Sequence, residues 1–147
     1  MVTGIIGAIG MGDFDSFRRR GAFNFMPQYT SLREVLVDHN LAALGDALVN
    51  FLYSLARSIK EGIPLGVKVK GRLLADALDG VGLRQYLPPR TTRHERADAA
   101  ESLIFYAWAR GVVTLEEEIE ILCQKDDATE AFRDLLHRIL SSLPLIK

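Results

Sequence analysis

From Leu41 to Ile59 apolar residues recur three and four apart, through Leu44, Leu48, Phe51, Leu52 and Leu55, and that period puts them together only on an α-helix. Ala100, Leu103, Ile104, Ala107 and Trp108 repeat the pattern, as do Leu73, Leu74, Ala77 and Leu78, and Phe132 through Leu143. No stretch alternates as a half-buried strand would, so the expected fold class is all-α. Ser31 with Glu34 and Thr114 with Glu117 have the spacing of capping boxes, and Asp127 with Glu130 resembles a third start. Gly62 with Pro64, Gly80, Gly111 and Pro144 are stops. These signals predict helices over about 31–38, 41–60, 68–78, 97–110, 115–124 and 127–143, with a proline-braced loop around Pro88 and Pro89.

The two strongest helices are not apolar throughout. Asp46 and Asn50 are four apart and Asp98 and Glu101 three apart, spacings that make neighbours on a helix surface. Carboxylates facing one another across packed helices repel unless a cation lies between them, and a hard divalent ion with oxygen ligands meets that need. By spacing alone such acids are more often a solvated helix face than a metal site.

At 147 residues, about half of them apolar, the chain has room for one core. Asp46 and Asn50 interrupt the longest apolar helix, so no membrane span is expected, and the glycine-rich start lacks the basic region of a signal peptide. With a lone Cys123, this points to a cytoplasmic protein. Neither His39 nor His94 has a second His or Cys at zinc-ligand spacing. Residues 1–29 have no sustained period and read as an arm that is loose or held by a partner, ahead of a domain over 30–147.

Residues 39–47, His-Asn-Leu-Ala-Ala-Leu-Gly-Asp-Ala, resemble the signature helix of ribonuclease III catalytic domains, in which a Leu-Gly-Asp-Ala step carries an essential acid. Asp98-Ala99-Ala100-Glu101-Ser102-Leu103-Ile104 resembles the second motif of that family, and Lys68 to Leu78 with Gly82-Leu83 its intervening basic helix and turn. The resemblance covers about residues 38–122. It is closest to the short archaeal ribonuclease III-like family, in which the run seen here from Leu48 to Ala56 also follows the Gly-Asp step. Two positions depart from the long bacterial and eukaryotic enzymes: Ala42 replaces a Glu one turn before Asp46, as a small residue does in the compact Mini-III enzymes, and Asn50 replaces a common Glu.

The resemblance implies a ribonuclease III catalytic-domain-like helical fold with no separate domain for double-stranded RNA, and metal-dependent cleavage of double-stranded or structured RNA. It implies Mg2+ or Mn2+ held by Asp46, Asp98 and Glu101, with Asn50 able to offer a neutral oxygen. It also implies a homodimer whose two metal sites face opposite strands, which would cover the apolar main helix on a further side.

Net charge is −1, but nine Lys and Arg stand against four Asp and Glu between residues 57 and 96, and the balance reverses after Asp98. Lys70 is the first choice for a phosphate contact, with Lys68 and Arg72 beside it; an exposed basic helix face explains these three equally well. Arg90, Arg93 and Arg96 resemble in position a basic loop that approaches the duplex in the compact enzymes. A non-catalytic RNA- or protein-binding module with the same fold is the other function class, favoured by Ala42, Asn50 and the weak overall charge.

Overall fold

The computed structural model describes residues 11–145, and within them the fold is all-helical with no strand. The elements are α1 (Met11–Arg19), α2 (Leu32–Leu36), α3 (His39–Glu61), α4 (Gly71–Gly80), a 3-10 turn (Leu83–Tyr86), α5 (Arg93–Ala109), α6 (Leu115–Cys123) and α7 (Ala128–Ser142). None is long and apolar enough to cross a membrane.

The long helix α3 begins where Asp38 accepts the N–H groups of Asn40 and Leu41, and ends at Gly62, whose φ of 74° turns the chain out of the helix. Asp38 is held from outside as well: Tyr29 Oη donates to it at 2.6 Å, and Ser102 Oγ donates to its carbonyl at 2.9 Å. These bonds tie the start of α3 to α5.

The core is organised around α5. A full capping box between Thr92 and Glu95 starts this helix four residues earlier than the apolar period predicts, because the box satisfies N–H groups the period does not see. From Ala97 almost every side chain is buried, Glu101 and Ser102 included, so α5 has no solvent face of its own. It packs most extensively on α3, then on α4. Leu74, Ala75, Ala77 and Leu78 are the buried face of α4, with Leu73 only half-buried. Phe132, Leu135, Leu136 and Ile139 from α7 complete the core.

One expectation is corrected. The helix expected from Lys68 starts at Gly71: Lys70 has extended backbone, and residues 67–69 belong to no helix, with exposure alternating along 65–70 as in a strand. The arm expected over 1–29, loose or held by a partner, lies partly outside the described residues. From Met11 on, the chain is helical and folded back: Arg18 donates to the Trp108 carbonyl at 3.1 Å, and the Phe14 and Phe23 rings lie 5.5 and 5.4 Å from the Trp108 ring.

One contact limits how α3 and α5 meet. A Cβ built on Gly45 would sit inside the van der Waals envelope of the Glu101 carbonyl, a backbone obstacle that cannot swing aside. Elsewhere in the core Glu118 is fully buried, and neither of its carboxyl oxygens has a hydrogen-bond partner. Burial first, and the Glu117 charge second, push its pKa up to about 9.

Gly45→Ala is expected to destabilise the fold by about 2 kcal/mol or more, since an overpacked contact against backbone has no cheap relaxation; urea denaturation measures it, and a loss below ~0.5 kcal/mol would show that the helices separate freely. For Glu118 the folded pKa lies above the ordinary 4.5, so the folded state holds the proton more tightly. Its contribution is complete below about pH 4.5 and is lost as pH rises toward 9. Stability of the wild type should therefore fall relative to Glu118→Gln across that range, and parallel pH profiles for the two proteins would contradict the assignment.

Candidate functional site

A pocket of about 400 Å³ opens between the first half of α3, the strand-like segment 67–70 and the first half of α5. Asp46, Asp98 and Glu101 line it together with Ala42, His39 and Lys68. The acids that the sequence places on two helices fifty residues apart thus share one cavity, and Gly45 is the reason. Its missing side chain lets α3 settle on the Glu101 carbonyl, so that Asp46, the next residue, reaches the Glu101 carboxyl.

Each acid has its own surroundings. Asp46 Oδ1 accepts from Asn50 Nδ2 at 3.3 Å, and its Oδ2 is 3.9 Å from Lys68 Nζ. Asp98 Oδ2 lies 3.3 Å from His39 Nδ1 and 3.6 Å from His94 Nε2. Glu101 is buried, and burial pushes its pKa up to about 8, helped by its hydrogen bond and charge contact with Asp46 and by the Asp98 charge, against an opposing pull from Lys68. A carboxyl held back from ionising by burial and by two neighbouring carboxylates is a group whose charge a cation would stabilise. Among the described residues, however, no three His, Cys, Asp or Glu side chains are gathered tightly enough to enclose an ion. Asp46 and Asp98 are each turned toward a nitrogen partner instead.

Asn50 stands beside the acids, but its amide is already engaged. The oxygen accepts Val69 N–H at 2.7 Å while the nitrogen donates to Asp46. It is the first of three supports spaced one turn apart on α3. Ser54 Oγ accepts from Val67 N–H at 2.9 Å and donates to the Val67 carbonyl at 3.0 Å. Ser58 Oγ accepts from Leu65 N–H at 2.8 Å. Four helical residues rise about 6.0 Å and two extended residues about 6.6 Å, so successive turns meet alternate residues of the strand-like segment. The ladder buries Val69 and leaves Lys68 and Lys70 exposed.

The basic residues divide. Lys68 lines the acid pocket; Lys70 and Arg72 line an adjoining groove of about 510 Å³ with Arg57, Tyr53 and Lys68. Arg90 and Arg93 are exposed, Arg90 in a left-handed turn with φ of 63°. Arg96 is turned inward: its guanidinium lies 3.2 Å from Asp79 and donates to the Thr91 carbonyl at 2.8 Å, so it braces α5 against α4 and does not face solvent with the other two.

Sequence reasoning missed the partners of these groups. His94 is one turn before Asp98, a spacing open to view, whereas His39 reaches Asp98 only through the packing of α3 on α5. Ser54 and Ser58 gave no signal, because their partners Val67 and Leu65 lie between two expected helices and meet them only when the chain folds back along α3.

The ribonuclease III family model matches residues 39–140, a span that includes α3 to α5, the whole acid pocket, and most of α7. No curated protein matches the chain. With the two acid-bearing helices packed as one unit inside that span, the chain belongs to the ribonuclease III family.

Proposed function

We propose that the chain is a metal-dependent endoribonuclease that cleaves double-stranded or structured RNA in RNA processing. The observation that carries this reading is the meeting of Asp46, Asp98 and Glu101 in one open pocket with Lys68 on its wall. Asp46, Asp98 and Glu101 would hold Mg2+ or Mn2+ as anionic oxygen ligands. When bound, such an ion activates water and stabilises negative charge on a phosphodiester.

The protein's own part is orientation and attraction. Asn50 fixes the Asp46 carboxylate from one side, and the Val69 bond fixes Asn50 in turn. Lys70 and Arg72 in the groove, and Arg90 and Arg93 on the exposed turn, are set to meet phosphates on either side of the pocket. Such contacts track the shape of a duplex and carry no base sequence.

We infer a homodimer from the main helix. Leu44, Phe51 and Ile59 are each more than two-fifths exposed although they lie on one side of α3, and Ile63, just past the helix end, is exposed as well. An exposed apolar stripe of this kind fits a second copy of the chain, which would supply the binding surface that a single small domain lacks. The alternative, a non-catalytic RNA- or protein-binding module, is favoured by the lack of three gathered ligands among the described residues.

Purified protein is expected to cut duplex RNA only with Mg2+ or Mn2+ added. Asp46→Asn should reduce cutting by roughly 10²-fold or more while leaving circular dichroism and RNA binding without metal unchanged. Lys70→Ala and Arg93→Ala should weaken RNA binding and each reduce the salt slope by about 1, since each removes one phosphate contact. Binding without cutting under every metal condition would favour the non-catalytic module. For the assembly, sedimentation should give a dimer that Phe51→Glu converts to monomer, and a wild-type monomer at every accessible concentration would exclude the dimer.

A further inference from the structure

Lys68 differs from the other cations of this surface. Among the basic residues lining the acid pocket and the adjoining groove, it is the one lysine or arginine common to both. Its main chain is fixed on each side, because Val67 and Val69 are bonded to Ser54 and Asn50. Its side chain is 78% exposed, so the ammonium group is hydrated and free to swing, yet it rests 3.9 Å from Asp46 Oδ2. The pocket that it lines also carries the small side chains of Ala42 and Ala43, which leave space for a phosphate beside the acids. The groups near Asp98 are of another kind, two imidazoles, His39 from α3 and His94 from α5.

The charges of the pocket also make room for such a group. With Glu101 ionised beside a bound cation, three carboxylates and one ammonium leave two negative charges, which a single divalent ion balances. An anionic phosphate entering that neutral pocket would then find two cations, one fixed by the carboxylates and one on the flexible lysine.

We propose that Lys68 is a catalytic residue: its ammonium group contacts a non-bridging oxygen of the scissile phosphate and serves as the second cation of the pocket beside one divalent ion. The proposal rests on the endoribonuclease reading. It separates Lys68 from Lys70 and Arg72, which face the groove and would only hold the RNA.

The test compares wild type with Lys68→Met and Lys68→Arg, using single-turnover cleavage of a duplex RNA and calorimetric titration of the RNA-free protein with Mn2+. Lys68→Met should lower the cleavage rate constant roughly 10²-fold at saturating RNA with little change in half-saturation, as removal of a charge-stabilising donor does. The same variant should bind Mn2+ several-fold more tightly, because a like charge has left the carboxylates. Lys68→Arg should retain most of both wild-type values. A raised half-saturation with an unchanged rate constant would make Lys68 an RNA tether and overturn the proposal, as would unchanged or weaker Mn2+ binding in Lys68→Met. A wild type that cuts no RNA with any divalent ion would instead remove the endoribonuclease reading, and the proposal with it.

Discussion

The site depends on one place where a helix has no side chain. Gly45 lets α3 rest directly on the backbone of α5 at Glu101, closer than any residue with a Cβ allows. Three consequences follow from that contact. Asp46 is carried against Glu101, Glu101 is buried under α3, and the carboxyl groups come near enough to disturb one another. The Leu-Gly-Asp step is therefore a packing instruction first, with the chemistry as its result. Gly supplies the approach and Asp, one residue later, supplies the charge.

A second constraint works along the same helix. Asn50, Ser54 and Ser58 repeat every fourth residue, and the segment after the turn offers N–H groups at every second residue. Because one helical turn nearly equals two extended residues in length, α3 acts as a template that keeps residues 65–69 strand-like. Polar groups at the edge of an otherwise apolar helix thus satisfy backbone that no sheet is present to satisfy. The template continues through Asn50 to Asp46, so the same row of side chains that shapes the basic segment also holds the acid.

How much of this was legible depended on the distance over which each residue acts. Local signals gave the helices, their stops and the cap at Thr114, because apolar period and capping involve residues within one turn. The Thr92 box was equally local and was passed over in a stretch read as loop. Asp46, Asp98 and Glu101 could be singled out by spacing and resemblance, and they do share a pocket. What the sequence did not disclose was the partner of each polar group. Lys68 and Lys70 are expected on one helix, with Lys70 the first choice; in the structure both lie before the helix and are exposed, and Lys68 is the one beside Asp46. Arg96 looked like its neighbours Arg90 and Arg93 until the packing of α4 on α5 brought Asp79 to it.

The chain buries two carboxyls whose ionisation is suppressed, and comparing them separates a site from a structural cost. In both Glu101 and Glu118 burial is the largest cause. The remaining causes differ. Glu118 has only the neighbouring Glu117 charge, no hydrogen-bond partner and no place in the acid pocket, so nothing outside the fold can reach it to offset the desolvation. Glu101 is raised further by Asp46 and Asp98, groups that face the same solvent-open pocket, and it is lowered by Lys68. A buried carboxyl suppressed further by other carboxylates at an open cavity is under a strain that a cation from solution can relieve. One suppressed by a closed apolar core is a cost the fold carries in every state. The first arrangement couples stability to binding, which is what a site requires, and the second couples it only to pH.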